Sequence, residues 1–240
     1  MRKTLLIAAA ALAAGVISSQ AQVYSQNVVG YVNLPLTNGV LTCIAPPLDL
    51  DGTGTNDTIS SVFTTPSLGD TVYAYNGSGY DVIGYIAHGS GHPVVYTTNW
   101  FNGSTASPGY KLNPGVSVFY LPAATATATV VGNVLQGTNL QNAYFPAAGN
   151  VALVGSQVPI GGGLTSVLGY NPSLGDNVYI YDNGAYDVYS YIAHGSGHPV
   201  VYTTNWFNGS TPGEPVLNVG QGFWILPVAS TNWYQTLNVN

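Results

Sequence analysis

Ionisable side chains are nearly missing from this sequence: of 240 residues three are Lys or Arg, nine are Asp or Glu and four are His, leaving 5% of the chain charged. Soluble domains commonly carry about five times that share. With no field of basic side chains to neutralise phosphates, nucleic acid is excluded as a partner. Cysteine occurs once, which excludes an intrachain disulfide; Cys43, set among Leu41, Thr42, Ile44 and Ala45, reads as a small buried hydrophobe. Beyond the N-terminal segment no run approaches the ~20 apolar residues of a membrane-spanning helix. Thirty Gly, 15 Pro and 18 Tyr also argue against a helical chain.

The N-terminus has its own pattern. Arg2 and Lys3 precede an apolar run from Leu5 to Ile17, followed by Ser18-Ser19-Gln20-Ala21. A short basic region, an apolar stretch too brief to span a bilayer, and small residues at a cleavage site define a secretory signal peptide, residues 1–21, cut after Ala21. No Cys stands beside that site, so a lipid anchor is not expected. The expected product is secreted or displayed at the cell surface. Its only base is Lys111, against nine acids, for a formal charge of −8. Ion pairs therefore contribute almost nothing, and stability must come from apolar burial, backbone ladders, and amide and hydroxyl bonds.

What remains is written twice. Shifted by 106 positions, residues 66–105 match 172–211 at 32 of 40 places, and YIAHGSGHPVVYTTNWFNGST, residues 85–105 and 191–211, is identical in both copies. The echo resumes with one residue removed, Leu112-Asn113-Pro114-Gly115 facing Leu217-Asn218-Val219-Gly220. A period near one hundred residues is too long for a solenoid; it indicates two tandem domains or two pseudo-symmetric halves, with units expected at 22–127 and 128–240. Val28-Val29-Gly30-Tyr31-Val32 also recurs as Val130-Val131-Gly132-Asn133-Val134, a segment placed to close one unit while opening the next.

Each unit reads as strands. Val72-Tyr73-Ala74-Tyr75, a turn at Asn76-Gly77, and Tyr80 to Ile86 form a hairpin signal, repeated as Val178 to Tyr181, Asp182-Asn183-Gly184 and Tyr186 to Tyr191. Aromatics stand on both alternating faces, so neither face is expected to be fully solvated. Further strands are expected over 94–101 and 116–121, and only 58–64 and 164–168 hint at a helical turn. The fold class is all-β, with two tandem homologous β-sandwich or barrel-like units of about one hundred residues.

The run Val-Tyr-x-Tyr at Val178, Tyr179 and Tyr181, together with Leu217, Gly220, Gly222, Phe223 and Trp224, resembles the small exported two-repeat β-domains of uncharacterised bacterial surface proteins. The first unit departs from it, with Ser117, Val118 and Phe119 in place of Gly222, Phe223 and Trp224. The resemblance implies an exported β-repeat protein and supplies no catalytic residue.

Several groups qualify as candidate sites. All four histidines lie in a duplicated pentapeptide, His88 with His92 and His194 with His198, where imidazoles on Gly-flanked loops could ligate Zn²⁺. The plainer reading is a polar turn copied with its surroundings. Ser90 beside those histidines lacks the strand-to-helix elbow that a nucleophile needs. Asp49, Asp51 and Asp57 gather hard oxygen ligands suited to Ca²⁺ without EF-hand spacing, and otherwise form a solvated turn. Tyr96 with Trp100, repeated as Tyr202 with Trp206, stands among Thr and Asn, as a sugar-stacking platform would; such tryptophans are also ordinary core residues.

The expected function is an exported, non-enzymatic structural or surface-interaction protein with no catalytic residue and no resident cofactor. The alternative is glycan binding through the repeated Trp and Tyr, and a secreted hydrolase stands third. A glycan, a protein surface or the chain itself is the expected partner, since low charge and strand edges favour self-association.

Overall fold

The structure, a computed structural model, describes residues 28–137, 140, 143–145, 149–196 and 201–237. The signal peptide expected at 1–21 and His198 lie outside the described residues. Among the described residues no helix is long and apolar enough to cross a membrane.

The chain is all-β: among the described residues twelve of eighteen strands form two six-stranded sheets, neither closed into a barrel, and the other six pair two by two. After β1 (Val29–Leu36), the first sheet is built from β2 (Thr42–Ile44), β3 (Thr71–Tyr75), β4 (Tyr80–Ser90), β5 (Val95–Asn102), β6 (Thr105–Ala106) and β7 (Val118–Leu121), in the order β2-β7-β3-β4-β5-β6. Past β8 (Ala126–Asn133) and β9 (Ala143–Phe145), the second sheet uses β10 (Ala152–Gly155), β12 (Asn177–Asp182), β13 (Ala185–Ser196), β14 (Val201–Asn208), β15 (Thr211–Pro212) and β17 (Gly222–Leu226). Its order, β10-β17-β12-β13-β14-β15, repeats the first. The short pair β11 (Gly162–Gly163) and β16 (Val216–Leu217) and the closing strand β18 (Thr231–Trp233) complete the set.

The recurrent Val-Val-Gly segments do not open separate sheets. They pair with each other: β1 and β8 run antiparallel along eight residues, with Gly30 opposite Gly132. β8 runs through the unit boundary expected at residue 127 and ties residues 126–133 to the opening strand of the chain. β9 and β18 form the corresponding ladder in the second half. Gly132 has a steric reason: a Cβ there would come within 2.5 Å of the Asp49 carbonyl oxygen, whose residue exchanges backbone bonds with Asn133.

The single helix among the described residues, α1 (Ile59–Val62), starts where a helical turn was expected. Thr58 caps it, accepting from the Ser61 N–H while the Ser61 hydroxyl accepts from the Thr58 N–H. Residues 164–168 form a turn instead, with the Val167 and Leu168 amides both bonded to the Gly163 carbonyl.

Strand alternation explains the layering. In β3, Val72 and Ala74 enter the core of the first half while Tyr73 and Tyr75 point the other way, and Val118 and Tyr120 of β7 flank Phe119 in the same manner. The second half copies this with Val178 and Ile180 against Tyr179 and Tyr181, and with Phe223 and Ile225 against Trp224. The outward residues of both sheets meet in one apolar seam around Cys43, Phe119 and Trp224. Contacts across it are reciprocal: Tyr75 meets Trp224 edge-on at 4.7 Å, and the matching pair, Tyr181 and Phe119, meets at 5.4 Å. Likewise the Ala45 amide bonds the Gly220 carbonyl at 2.8 Å and the Gly155 amide bonds the Gly115 carbonyl at 3.0 Å. The halves are therefore joined about an approximate two-fold axis, with residue i touching j′ and j touching i′.

Candidate functional site

The longest strands of each half extend past their own core. β4 and β5 pair from Ile83–Asn102 to Ser90–Val95, and β13 and β14 from Tyr189–Asn208 to Ser196–Val201. The sequence places the end of the first of these strands at Ile86; it continues to Ser90, so three of the five residues of the histidine pentapeptide are strand and the turn begins at Gly91. Gly89 permits this, because the Tyr96 ring of the opposite strand lies where a Cβ at Gly89 would reach it at 2.9 Å. Beyond Tyr85 and Trp100 the hairpin becomes a two-stranded arm. Val94, Val95 and Tyr96 are exposed at its end, Tyr96 by 72%, and Tyr202 of the second arm matches it at 71%.

The tryptophans are elsewhere. Trp100 and Trp206 are each 1% exposed, packed against Tyr85 at 5.3 Å and against Tyr191 at 5.2 Å. The indole N–H of Trp206 donates to the Thr165 hydroxyl at 2.9 Å. The expected Trp and Tyr platform is corrected on this point: an indole sealed in a core offers no face to a sugar, and only Tyr96 and Tyr202 of the four residues meet solvent. Position along β5 and β14 decides it and not alternation: tyrosine and tryptophan, four residues apart, share a face, but only the tryptophan end of the strand lies in the core.

The histidines are spread along the arms. His88 stacks on Phe101 with ring centres 5.0 Å apart, and His194 stacks on Phe207 at 5.1 Å. His92 is exposed at the turn, with Nδ1 3.1 Å from the Gly91 carbonyl oxygen. The described histidines form no cluster of three ligating groups.

Asp49, Asp51 and Asp57 do come together, with one oxygen of each within 4.8 Å of the others. Asp49 and Asp57 are buried and Asp51 is exposed. Their oxygens already hold the loop: Asp57 accepts from the Leu50 and Asp51 amides at 3.0 and 3.1 Å, Asp49 from Gly52 at 3.1 Å, and Asp51 from the amide and hydroxyl of Thr53 at 2.8 Å. Burial, reinforced by the charges of Asp49 and Asp51, pushes the Asp57 carboxyl above its usual range although the Leu50 amide opposes the shift. The bonds from Thr53 hold Asp51 below it. Lys111, the only Lys or Arg among the described residues, reaches the Asn56 side chain at 3.0 Å and not a carboxylate.

Two further carboxylates are structural anchors. Asp70 accepts from the Tyr120 hydroxyl at 2.6 Å and from the Ser67 and Ala123 amides at 2.7 Å. Asp176 accepts from the Tyr170 hydroxyl at 2.6 Å and from the Ser173 and Val228 amides at 2.7 and 2.8 Å. Burial, then the carboxylate partner, raises both phenols above their ordinary value, so each remains a donor. A shallow cleft of about 280 Å³ opens beside the seam, lined by Leu41, Tyr73, Tyr80, Phe119, Leu121 and Tyr186. Sequence reading missed it, because its walls come from both halves.

No family model matches the chain, and neither a curated protein nor a solved structure matches it.

Proposed function

We propose that this chain is an exported, non-enzymatic structural or surface-interaction protein that acts through its two identical arms. One observation carries the reading. Over residues 66–105 and 172–211 the eight differences between copies all fall before residue 85, while the arm segment has none. Those differences include core positions, Ala74 for Ile180 and Ile83 for Tyr189, whereas the exposed Tyr96 recurs as Tyr202. Packing constrains buried positions most tightly, so packing alone does not account for identity at an exposed tip. An apolar tip exposed on both faces of a two-stranded ribbon is also a costly arrangement in isolation. A surface that contacts a partner at both arms accounts for both features.

The test is retention of the exported chain on intact cells, followed by fractionation. The tip variant Tyr96→Ala with Tyr202→Ala is expected to leave the envelope fraction and appear free in the medium, with unchanged unfolding. A chain found in the cytosol, or turnover of a polysaccharide or ester lost on a single Asp or His change, overturns the reading.

The glycan-binding alternative keeps one specific support, the tyrosine-walled cleft at Tyr73, Tyr80 and Tyr186, whose lining lacks charge and suits an uncharged ring. A glycan array without signal, or signal unchanged by Tyr80→Ala, removes it.

A further inference from the structure

We infer that the outer edge of each arm pairs, antiparallel, with the arm edge of a second copy of this chain. The inference rests on the reading of the arms as interaction surfaces and names the partner. Tyr85 exchanges both backbone bonds with Gly69 and Asp70 on the inner side of β4, which fixes the phase of the ladder. In an antiparallel pair the bonded positions alternate, so Val95, Thr97 and Asn99 bond inward to β4, and the N–H and C=O groups of Tyr96 and Thr98 point outward. Beyond them the edge is already occupied. The Asn99 side chain accepts from the Trp100 amide at 2.8 Å, the Ser107 amide donates to the Trp100 carbonyl at 2.8 Å, and β6 covers Phe101 and Asn102. The second arm repeats this: Asn205 caps the Trp206 amide at 2.8 Å, the Gly213 amide reaches the Trp206 carbonyl at 3.0 Å, and Tyr202 and Thr204 are left facing outward. No described residue pairs with these outward groups.

Four outward groups on two alternate residues accept one kind of occupant, an extended strand. The chemistry of the segment selects a second copy. Antiparallel pairing about a two-fold at Thr97 sets Tyr96 against Thr98 of the other copy, exchanging both bonds, with the two Thr97 residues facing each other. Aromatic with β-branched and Thr with Thr are favourable cross-strand pairs. In a self-pairing edge every charge near the axis meets its own copy. Residues 85–105 carry no Lys, Arg, Asp or Glu, and the nine acids of the chain all lie outside the arm segment. The edge also lacks the Lys or Pro with which strand edges usually block such contacts. Because the arms are identical, the first arm of one chain pairs equally with the second arm of another. Two competent edges on each chain carry association past the dimer into open chains.

Sedimentation velocity of the exported chain over a hundredfold concentration range tests this. The wild type is expected to grow continuously in size. Thr97→Lys, at an exposed side chain, places two ammonium groups on the axis wherever two first arms meet; alone it blocks only that pairing and leaves those made through the second arm. Thr97→Lys with Thr203→Lys is expected to be a monomer. Thr98→Pro with Thr204→Pro, which removes only outward N–H groups, is expected to give the same monomer with an intact thermal transition. A wild type that stays monomeric throughout, or a doubly substituted chain that assembles as the wild type does, overturns the inference. Monomeric wild type whose tip variants still lose cell retention would refute self-pairing and leave the surface reading standing; loss of neither would refute both.

Discussion

The two halves solve one folding problem with different side chains, and where they differ is instructive. Both bury an aspartate at the entry to the third strand of the sheet and satisfy it with a tyrosine hydroxyl at 2.6 Å. The tyrosines do not correspond. Tyr120 comes from β7, where the second half has Ile225, and Tyr170 comes from the segment before β12. A buried carboxylate requires donors, and the fold tolerates their arrival from either direction. At the seam, Ser117 faces Gly222, and a Cβ on that glycine would overlap the serine oxygen. Phe119 likewise corresponds to Trp224, both reaching tyrosines of the other half. The interior has drifted by compensation while the arms have not changed, so different constraints act on core and arm.

That comparison can be broken by substitution, most severely in the cores. Trp100→Ala and Trp206→Ala each remove a fully buried indole and are expected to cost about 3–5 kcal/mol by urea unfolding, with equal values in the two halves. A twofold or larger disparity would show that the halves are not energetically equivalent. Next come the anchors: Tyr120→Phe and Tyr170→Phe each strip a bond to a carboxylate, worth about 1.5–3 kcal/mol. Equal losses would establish that the origin of the donor is immaterial.

Smaller and opposite in sign is Ser117→Ala. The Ser117 hydroxyl is buried and has no hydrogen-bond partner among the described residues. Its removal is expected to stabilise the seam by about 1 kcal/mol, read as a rise in the urea midpoint.

The smallest effect separates the halves by pH. Asp57 has a raised pKa in the fold, so its contribution is complete below the ordinary aspartate value of about 3.9 and is lost as pH rises through the folded value. Glu214 behaves oppositely. Desolvation would raise its pKa, but the Ser166 hydroxyl and the Ser166 and Thr165 amides bring it below the ordinary value of about 4.3. Its contribution is complete above that value and is lost as pH falls through the folded one. Acidification from neutral pH is therefore expected to stabilise the loop that buries Asp57 and to destabilise the loop held by Glu214, followed by hydrogen exchange of the two loops. Same-sign changes in both loops would contradict the assignment.

Much of the fold was legible because it is local. Alternation in Val72 to Tyr75 and Val178 to Tyr181 specifies strands with two apolar faces, and Asn76-Gly77 specifies a turn. The acidic loop was legible as well, since Asp49, Asp51 and Asp57 lie within nine residues. Whether Trp100 and Trp206 belong to a platform or to the core was not legible, because period two gives a side chain a face without saying what covers it.

The amino-acid order by itself determined strand type, the duplication and the shortage of charge, each set by side chains acting over a few residues or by composition. Only the tertiary structure decided that the second face of each sheet meets its counterpart in one aromatic seam, and that the repeated Val-Val-Gly segments pair with each other. It also decided that the indoles are sealed while the tips of the same strands stand in solvent. Burial and edge exposure depend on contacts between residues a hundred positions apart, which no local pattern encodes.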